Sequence, residues 1–353
     1  MDFTDQATKI RPGEELHLGR LKAFLKDTIS GLKGPLTIEQ FPSGHSNLTY
    51  LIRLGDRDMV LRRPPIGTKA KTAHDMGREY KILKALKPAF SYAPQPLVYT
   101  EDLSVMGCPF YLMERIEGII LRKEMPKGLN LSPDKVKHLF QRHVEIQFEL
   151  HSIDYKKIGL ENFGKPSGYV KRQVKGWSER YSSARTPDAP DFGKVMNWLA
   201  ENMPEDSAFP GIIHNDFKFD NLILDPNDHL SIIGILDWEM ATVGDPIMDL
   251  GCTLGYWVEK NDAEEFQLMR TLPTHIEGAM TRKEIVACYE KLSGKTIENM
   301  NFYYCFGLFR LAGIAQQIYY RFYHGQTKDE RFKMLIFAVQ VLAKAAENAM
   351  KGF

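Results

Sequence analysis

A group of polar residues on both sides of a predicted hairpin constrains this chain more than any other feature of its sequence. Residues 214–221 read His-Asn-Asp-Phe-Lys-Phe-Asp-Asn, and an apolar run, a turn at 225–228 and a second apolar run then lead to Asp237. Antiparallel pairing about such a turn brings Asn221 and Asp237 to the same end of the hairpin, beside the loop that carries Asp216. The sequence therefore predicts that three oxygen-bearing side chains converge.

This predicted convergence favours a magnesium site in a phosphoryl-transfer enzyme. Magnesium takes oxygen ligands and shares its remaining positions with water and phosphate. The spacing His-x-Asp-x-x-x-x-Asn, followed by a later Asp, is also that of the catalytic loop and metal-binding aspartate of protein kinases. We therefore predict that Asp216 is the base that accepts or orients a substrate hydroxyl, and that Asn221 and Asp237 hold Mg²⁺. The alternative is that these residues only fill turns and helix caps.

Neighbouring polar residues are expected to support this chemistry. Lys218 stands two residues after Asp216, where a cation can reach the phosphoryl group as negative charge builds on its oxygens. A solvated surface lysine is the alternative at that position. His214 is predicted to brace the loop, while Asp220 and Glu239 flank the proposed ligands and are either supporting or exposed.

Size and composition favour a globular enzyme with two lobes. The 353 residues exceed the usual size of a single hydrophobic core, and 43% hydrophobic with 26% charged residues is ordinary for such a protein. A net charge of +1 argues against dedicated nucleic-acid binding. No stretch approaches the roughly 20 apolar residues of a membrane span, and the amino terminus lacks a signal-peptide pattern. We expect a cytoplasmic protein without membrane partners, whose scattered cysteines are reduced.

Five further segments carry a resemblance to a known family. They are Leu61-Arg62-Arg63-Pro64-Pro65, Gly77-Arg78-Glu79-Tyr80, Trp177-Ser178-Glu179-Arg180-Tyr181, Gly244-Asp245-Pro246-Ile247-Met248-Asp249 and Leu308-Phe309-Arg310-Leu311-Ala312. With the polar cluster, they make the chain similar to the aminoglycoside phosphotransferase family of small-molecule kinases over residues 36–325. The resemblance is closest to the branch that includes kinase-like domains fused to some acyl-CoA dehydrogenases.

The resemblance implies an α+β, two-lobed protein-kinase-like fold. Residues 1–115 would form a small antiparallel-sheet N-lobe with one key helix, and residues 116–353 a mainly helical C-lobe that bears the catalytic hairpin. Alternating apolar residues predict strands at 36–41, 48–54, 59–63 and 110–114. Helical spacing predicts helices at 14–30, 70–86, 136–151, 169–181, 192–203, 246–258, 282–292, 302–323 and 332–349.

The nucleotide is expected to lie against the predicted N-lobe. The loop between its first two strands, which could cover the phosphates or be an ordinary hairpin connection, consists of Ser43, Gly44, His45, Ser46 and Asn47. In the third strand Arg62 stands where kinases place a lysine, and we predict that it pairs with Glu79 on the following helix. Met113, Glu114 and Arg115 fall where the family places the hinge that binds adenine through its backbone, although a buried strand end fits them equally well. The expected cofactors are ATP or GTP, with Mg²⁺.

The acceptor implied by the resemblance is a small-molecule hydroxyl, on a hydroxyacyl compound or a hydroxyacyl-CoA. An aminoglycoside kinase should present a strongly acidic face to its polycationic substrate, whereas this chain is nearly balanced in charge. Candidate contacts with the acceptor in the C-lobe are Arg172, Arg180, Arg310 and Gln317. The alternatives are a kinase of an aminoglycoside or amino alcohol, a regulatory nucleotide-binding pseudokinase, and a metal-dependent hydrolase. The sequence leaves the oligomeric state open.

Overall fold

A computed structural model describes residues 3–42, 47–65 and 75–353. Its helices are α1 (Leu18–Thr28), α2 (Met76–Leu86), α3 (Leu103–Met106), α4 (Pro133–Ser152), α5 (Tyr169–Ala184), α6 (Gly193–Glu201), α7 (Pro246–Gly255), α8 (Glu264–Leu268), α9 (Arg282–Ser293), α10 (Met300–Tyr323) and α11 (Leu335–Ala349). Its strands are β1 (Leu36–Gln40), β2 (Leu48–Leu54), β3 (Arg57–Arg63), β4 (Pro96–Thr100), β5 (Phe110–Glu114), β6 (Gly211–Ile213), β7 (Leu222–Leu224), β8 (Ile232–Ile235) and β9 (Thr242–Gly244). Short 3-10 helices lie at Phe219–Asn221, Trp238–Met240 and Glu330–Met334.

The chain divides into two compact units. The first unit comprises residues 1–120 and 221–241, and the second comprises residues 121–220 and 242–353. The structure has the predicted α+β composition, with a small antiparallel sheet and many helices. The lobe boundary between residues 115 and 116 stays a prediction.

The first unit is built on a five-stranded antiparallel sheet. Its strand order is β1-β2-β3-β5-β4, so β3 lies in the middle and pairs with β2 and β5. Apolar side chains on one face of these strands form a core with α1, in which Leu21, Ile52, Leu61 and Leu112 are buried. Each such burial contributes roughly 2 kcal/mol of hydrophobic stabilisation. The packed sheet fixes the position of Arg62 near the end of β3.

Helix α2 carries the carboxylate that was predicted to face this strand. Asp75 caps the helix, because its side chain accepts the Arg78 backbone N–H at 2.9 Å. The buried positions of α2 are Met76, Glu79, Ile82, Leu83 and Leu86. Glu79 therefore lies within the apolar face of the helix, as its spacing predicts. The predicted start of this helix at residue 70 lies outside the described residues.

The hairpin of β7 and β8 belongs to the first unit. Leu222 pairs with Ile235 in the antiparallel register, and the Leu236 N–H donates to the Asn221 carbonyl oxygen at 2.8 Å. These contacts bring Asn221 and Asp237 to the same end of the hairpin, as predicted. Asp237 has a left-handed backbone with φ 65°, which turns the chain directly after β8.

In the second unit, α7 packs closely against α10. A Cβ at Gly307 would lie 2.0 Å from the Gly251 carbonyl oxygen, and a Cβ at Gly255 would lie 2.9 Å from backbone atoms of Gly307. Only glycine permits this approach of two helix backbones. This packing holds α7, which carries Asp249, against α10, which carries Arg310.

In the part of the chain that the structure describes, three strands and two short α-helices were not predicted from the sequence. They are β4, β6, β9, α3 and α8. Pro96 opens β4, and proline is tolerated there because β4 is an edge strand of the sheet. Among the described residues, no helix has both the length and the apolar character needed to cross a membrane.

Candidate active site

In the second unit, the buried carboxylate of Asp249 fixes the turn that precedes Asp216. Its oxygens accept the backbone N–H groups of His214 at 3.1 Å and of Asn215 at 2.6 Å, and contact His151 Nε2 at 3.0 Å. Asn215 has φ 64°, a conformation that non-glycine residues adopt only when the surroundings enforce it. Asp249 supplies that constraint.

Burial and hydrogen bonding act in opposite directions on Asp249. Burial alone would raise the pKa of its carboxyl group, but the hydrogen bond from His151 and the backbone N–H groups outweigh burial and lower it. The Nδ1 of His151 in turn lies 2.7 Å from the Tyr289 hydroxyl, so α9 also supports the network. Asp249 is thus an ionised structural centre of the second unit.

Asp216 follows this fixed turn as the predicted base. Its backbone N–H donates to His214 Nδ1 at 3.3 Å, so the fully buried His214 does brace the loop. Burial would raise the pKa of the Asp216 carboxyl group, but the positive charges of Lys218 and Arg310 outweigh burial and lower it. The carboxylate is therefore ionised at neutral pH and able to accept a proton or orient a hydroxyl.

Lys218 is held beside Asp216 rather than solvated freely. Its ammonium nitrogen lies 3.3 Å from Asp216 Oδ2 and 3.5 Å from Asp220 Oδ2. It also lies 4.6 Å from the ring centroid of Tyr256, and the Lys218 side chain is only 17% exposed. Two carboxylates and one aromatic face thus define the position of this cation.

In the first unit, Arg62 joins the sheet, α2 and the end of the hairpin. Its Nη1 lies 2.6 Å from Glu79 Oε1, which is the predicted contact, and its Nη2 lies 2.9 Å from Asp237 Oδ1. Glu239 Oε2 is farther away, at 3.9 Å from Nη2. Burial would lower the pKa of Arg62, but the carboxylates of Glu79 and Asp237 raise it well above its usual value. The planar guanidinium serves two carboxylates at once, which the point charge of a lysine cannot do in the same way.

The predicted metal ligands offer donors that suit magnesium. Asn221 supplies an amide oxygen and Asp237 a carboxylate whose side chain is 33% exposed, so that water or an ion can reach it. Within the described ranges, no three His, Cys, Asp or Glu side chains are grouped so as to hold an ion by themselves. Phosphate and water oxygens would have to complete the coordination, which is the usual habit of magnesium.

The other residues predicted to bind the nucleotide are those at 43–47 and 113–115, and the structure describes only part of them. Ser43, Gly44, His45 and Ser46 lie outside the described residues. Asn47, which follows them, donates from Nδ2 to Glu239 Oε2 at 2.7 Å. Of the three proposed hinge residues, Met113 is buried in β5, Glu114 pairs with Lys87 at 2.9 Å, and Arg115 pairs with Asp58 at 2.7 Å. Their side chains are thus occupied by neighbours, so adenine recognition there would fall to backbone groups.

The four candidate acceptor contacts fall into two kinds. Arg172 donates to backbone carbonyl groups before α5, and Gln317 donates to a carbonyl within its own helix at 3.4 Å. Arg180 and the buried Arg310 instead stack on Trp177, with guanidinium carbons 4.8 Å and 5.3 Å from its ring centroid. The first pair therefore has a local structural role, while the second pair forms a cationic and aromatic group in the unit that carries Asp216.

Comparison with known families identifies the family of the chain. Residues 37–270 match the phosphotransferase enzyme family. The chain belongs to this family. Acyl-CoA dehydrogenase family member 11 from Homo sapiens is 32% identical over 358 residues, which are 97% of this chain and 44% of that protein. Acyl-CoA dehydrogenase family member 10 from Mus musculus is 36% identical over 315 residues, which are 88% of this chain and 29% of that protein. The chain therefore spans less than half the length of these relatives.

Solved structures give the same result for the fold. A protein from Ralstonia eutropha JMP134, provisionally assigned as an aminoglycoside phosphotransferase, superposes with a TM-score of 0.80 at 28% identity, over 96% of this chain and 99% of that one. Choline kinase from Cryptosporidium parvum Iowa II superposes with a TM-score of 0.64 at 13% identity, over 95% and 96% of the two chains. The chain is thus a family member with the fold of small-molecule phosphotransferases.

Sequence reasoning missed several residues near the candidate site. The contact of Arg62 with Asp237, the hydrogen bond of His151 to Asp249 and the position of Tyr256 beside Lys218 were not predicted. His151 occupies the last turn of α4, where its polar side chain interrupts a buried face. That interruption was a usable signal, because a buried imidazole requires a partner.

Proposed function

We propose that this protein transfers the γ-phosphate of ATP to a hydroxyl group of a small molecule. The observation that carries the proposal is the ionised Asp216, which follows a turn fixed by Asp249 and lies 3.3 Å from the Lys218 ammonium. At this spacing, the carboxylate can act on the acceptor hydroxyl while the cation acts on the phosphoryl group. Membership of the phosphotransferase family supports the same reaction class.

Asp216 accepts the proton of the acceptor hydroxyl while the hydroxyl oxygen forms a bond to the γ-phosphorus. The bond between that phosphorus and the bridging oxygen to the β-phosphate breaks, and ADP leaves with the bonding electrons. Lys218 moves its positive charge towards the phosphoryl oxygens as negative charge develops on them. The phosphorylated hydroxyl compound and ADP are the products.

The first unit binds the nucleotide in this proposal. Arg62, oriented by Glu79, contacts the phosphates. Ser43, Gly44, His45, Ser46 and Asn47 are the further residues that we assign to phosphate binding. Asn221 and Asp237 would hold Mg²⁺, which would neutralise phosphate charge. Backbone groups of residues 113–115 receive the purine base.

The acceptor that we propose is a hydroxyacyl compound or a hydroxyacyl-CoA. The charged groups that lower the pKa of Asp216 are cationic, namely Lys218 and Arg310, and Arg180 stacks on the same Trp177 ring as Arg310. Cations attract an anionic acceptor and repel a polycationic aminoglycoside. The names of the relatives, which are acyl-CoA dehydrogenase family members, support the same choice.

A screen of acceptors tests this function. ADP release and phosphorylated product would be measured with hydroxyacyl-CoA esters, hydroxy acids, sugars, amino alcohols and aminoglycosides, using ATP and GTP in parallel. We expect Mg²⁺-dependent phosphorylation of a hydroxyacyl compound, and no product from the Asp216→Ala variant. Turnover of an amino alcohol such as choline without turnover of any hydroxyacyl compound would overturn the acceptor class.

A regulatory nucleotide-binding protein is the second candidate, and one observation favours it. Arg62 replaces the usual lysine and is already paired with Asp237, a residue that we assign to Mg²⁺. If this pair persists when nucleotide binds, Asp237 is less available to the metal. Mg²⁺-dependent ATP binding without a phosphorylated product across the whole screen would favour this candidate over the enzyme.

A further inference from the structure

Tyr256 lies directly after α7 and is held in place on both sides. One turn earlier, the Thr253 hydroxyl donates to the Phe217 carbonyl oxygen of the catalytic loop at 2.9 Å. The next residue, Trp257, is fully buried and donates from its indole N–H to the Met280 carbonyl oxygen at 2.8 Å. The backbone at Tyr256 is thus fixed independently of anything that its own side chain contacts.

The side chain of Tyr256 makes two different contacts with the proposed catalytic pair. Its ring face receives the Lys218 ammonium at 4.6 Å from the centroid. Its hydroxyl is close enough to the Asp216 carboxyl group for the two groups to influence each other's pKa. Burial raises the pKa of Tyr256, so the hydroxyl keeps its proton and can donate it in a hydrogen bond to this carboxylate.

We propose that Tyr256 is a positioning residue of the transfer reaction, with its hydroxyl orienting Asp216 and its ring face holding Lys218. This inference rests on the proposed function, because it assigns Tyr256 to the machinery of that same site. The two contacts arise from different parts of one side chain. They can therefore be removed separately.

The ring has a physical advantage over another carboxylate as the partner of Lys218. The ammonium is already close to the carboxylates of Asp216 and Asp220, and a third negative charge would hold it still more tightly in place. An aromatic face attracts a cation through its quadrupole but carries no net charge. It keeps Lys218 beside Asp216 while leaving the positive charge available to the phosphoryl oxygens.

The hydroxyl has a corresponding effect on Asp216. A donor on one side of the carboxylate restricts its rotation and occupies part of its capacity to accept hydrogen bonds. The remaining lone pairs then have a defined direction towards the acceptor hydroxyl. Orientation of this kind acts on the rate of transfer more than on the affinity for ATP.

The experiment compares two replacements at position 256 that keep the ring. Tyr256→Phe removes the hydroxyl alone, and incorporation of pentafluorophenylalanine removes the hydroxyl and also the negative charge of the ring face. Each replacement is made in the wild-type protein and together with Lys218→Met. Tyr319→Phe is the matched control, because the Tyr319 hydroxyl donates to a different carboxylate of the same unit, that of Asp188, at 2.6 Å.

We expect Tyr256→Phe to lower kcat about 10-fold at an unchanged KM for ATP, as for a lost hydrogen bond to a charged group. The fluorinated ring should lower kcat by roughly a further 3-fold, the size of a weak cation–π interaction. In the Lys218→Met background this second loss should disappear, since the cation is absent. Tyr319→Phe should keep the wild-type kcat.

Separate outcomes identify which claim is wrong. If the wild-type protein transfers phosphate and Asp216→Ala does not, the proposed function stands. A Tyr256→Phe variant with wild-type kcat then overturns the role of the hydroxyl, and a fluorine effect that persists without Lys218 overturns the role of the ring. If the wild-type protein phosphorylates nothing in the acceptor screen, the proposed function and this inference fall together.

Discussion

The two units each contain a buried ionic centre, and the two centres are built in opposite ways. In the first unit a cation, Arg62, lies between the carboxylates of Glu79 and Asp237. In the second unit a carboxylate, Asp249, lies among backbone N–H groups and His151. The Asp237 side chain is 33% exposed, whereas the Asp249 side chain is 0% exposed.

Because of this difference in exposure, the contacts of the Arg62 centre can rearrange, whereas those of the Asp249 centre are fixed. Water reaches Asp237, so we expect that Arg62 can exchange this carboxylate for phosphate, and that Asp237 can exchange Arg62 for a metal ion, at modest cost. Each contact of Asp249 is buried, and losing one leaves a polar group without water to replace it. We therefore propose that the Arg62 centre, which can rearrange, binds the nucleotide, and that the Asp249 centre, which cannot, aligns Asp216.

The largest expected effect is at Asp249. Asp249→Asn replaces an acceptor of several N–H groups with a side chain that can accept at only one atom, and should lower the free energy of unfolding by about 4 kcal/mol. Asp245→Asn is the matched control, because Asp245 caps α7 and asparagine caps equally well. Urea denaturation of the two variants measures the difference. Equal stability of both would contradict a fixed centre at Asp249.

The pH dependence of stability gives an independent measure of the same centre. The pKa of Asp249 is lowered in the folded protein, so its stabilisation is present above the unfolded-state pKa of about 3.9 and is lost as pH falls through the folded-state value. The loss of unfolding free energy caused by Asp249→Asn should therefore be constant from neutral pH down to about pH 4. It should become smaller only below about pH 4. Burial raises the pKa of Asp245. The effect of Asp245→Asn on the free energy of unfolding should therefore not become smaller at acid pH.

An intermediate effect is expected at Glu79. Glu79→Gln weakens the buried contact with Arg62 and should lower the free energy of unfolding by about 2 kcal/mol and ATP affinity about 10-fold. Glu39→Gln is the control in the same sheet, where Glu39 pairs with Arg53 but both side chains are 39% exposed. The control should cost under about 0.5 kcal/mol. ATP affinity would be measured by calorimetric titration. Wild-type affinity of Glu79→Gln would contradict the assignment of Arg62 to the nucleotide site.

The smallest effect is expected at Glu239. Its carboxylate lies 3.9 Å from Arg62, and a glutamine there can still accept the hydrogen bond from Asn47. Glu239→Gln should change stability by about 0.5 kcal/mol and ATP affinity by less than about 3-fold. The same titration would measure the ATP affinity of Glu239→Gln. A loss of affinity as large as that of Glu79→Gln would show that the importance of an Arg62 partner does not follow from its distance.

The sequence predicted the parts of this account that follow from periodicity and local spacing. Strands β2 and β5, and the apolar face of α2 with Glu79 in it, follow from alternating and helical patterns. Strands β6 and β9 have three residues each, too few to show a period of two. The contact of Arg62 with Asp237 joins residues 175 positions apart, so no local pattern encodes it.

We propose that the first unit binds the nucleotide and that Asp216 of the second unit serves phosphoryl transfer. One paired measurement tests this division most directly. ATP affinity with and without Mg²⁺, and phosphoryl transfer to the best acceptor, would be determined for Asp216→Ala in the second unit and Asp237→Ala in the first. We predict that Asp216→Ala lowers transfer by more than about 1,000-fold with wild-type Mg²⁺-dependent affinity, whereas Asp237→Ala loses transfer and the Mg²⁺-dependent part of the affinity. Normal transfer by Asp216→Ala, or unchanged Mg²⁺ dependence in Asp237→Ala, would contradict the account.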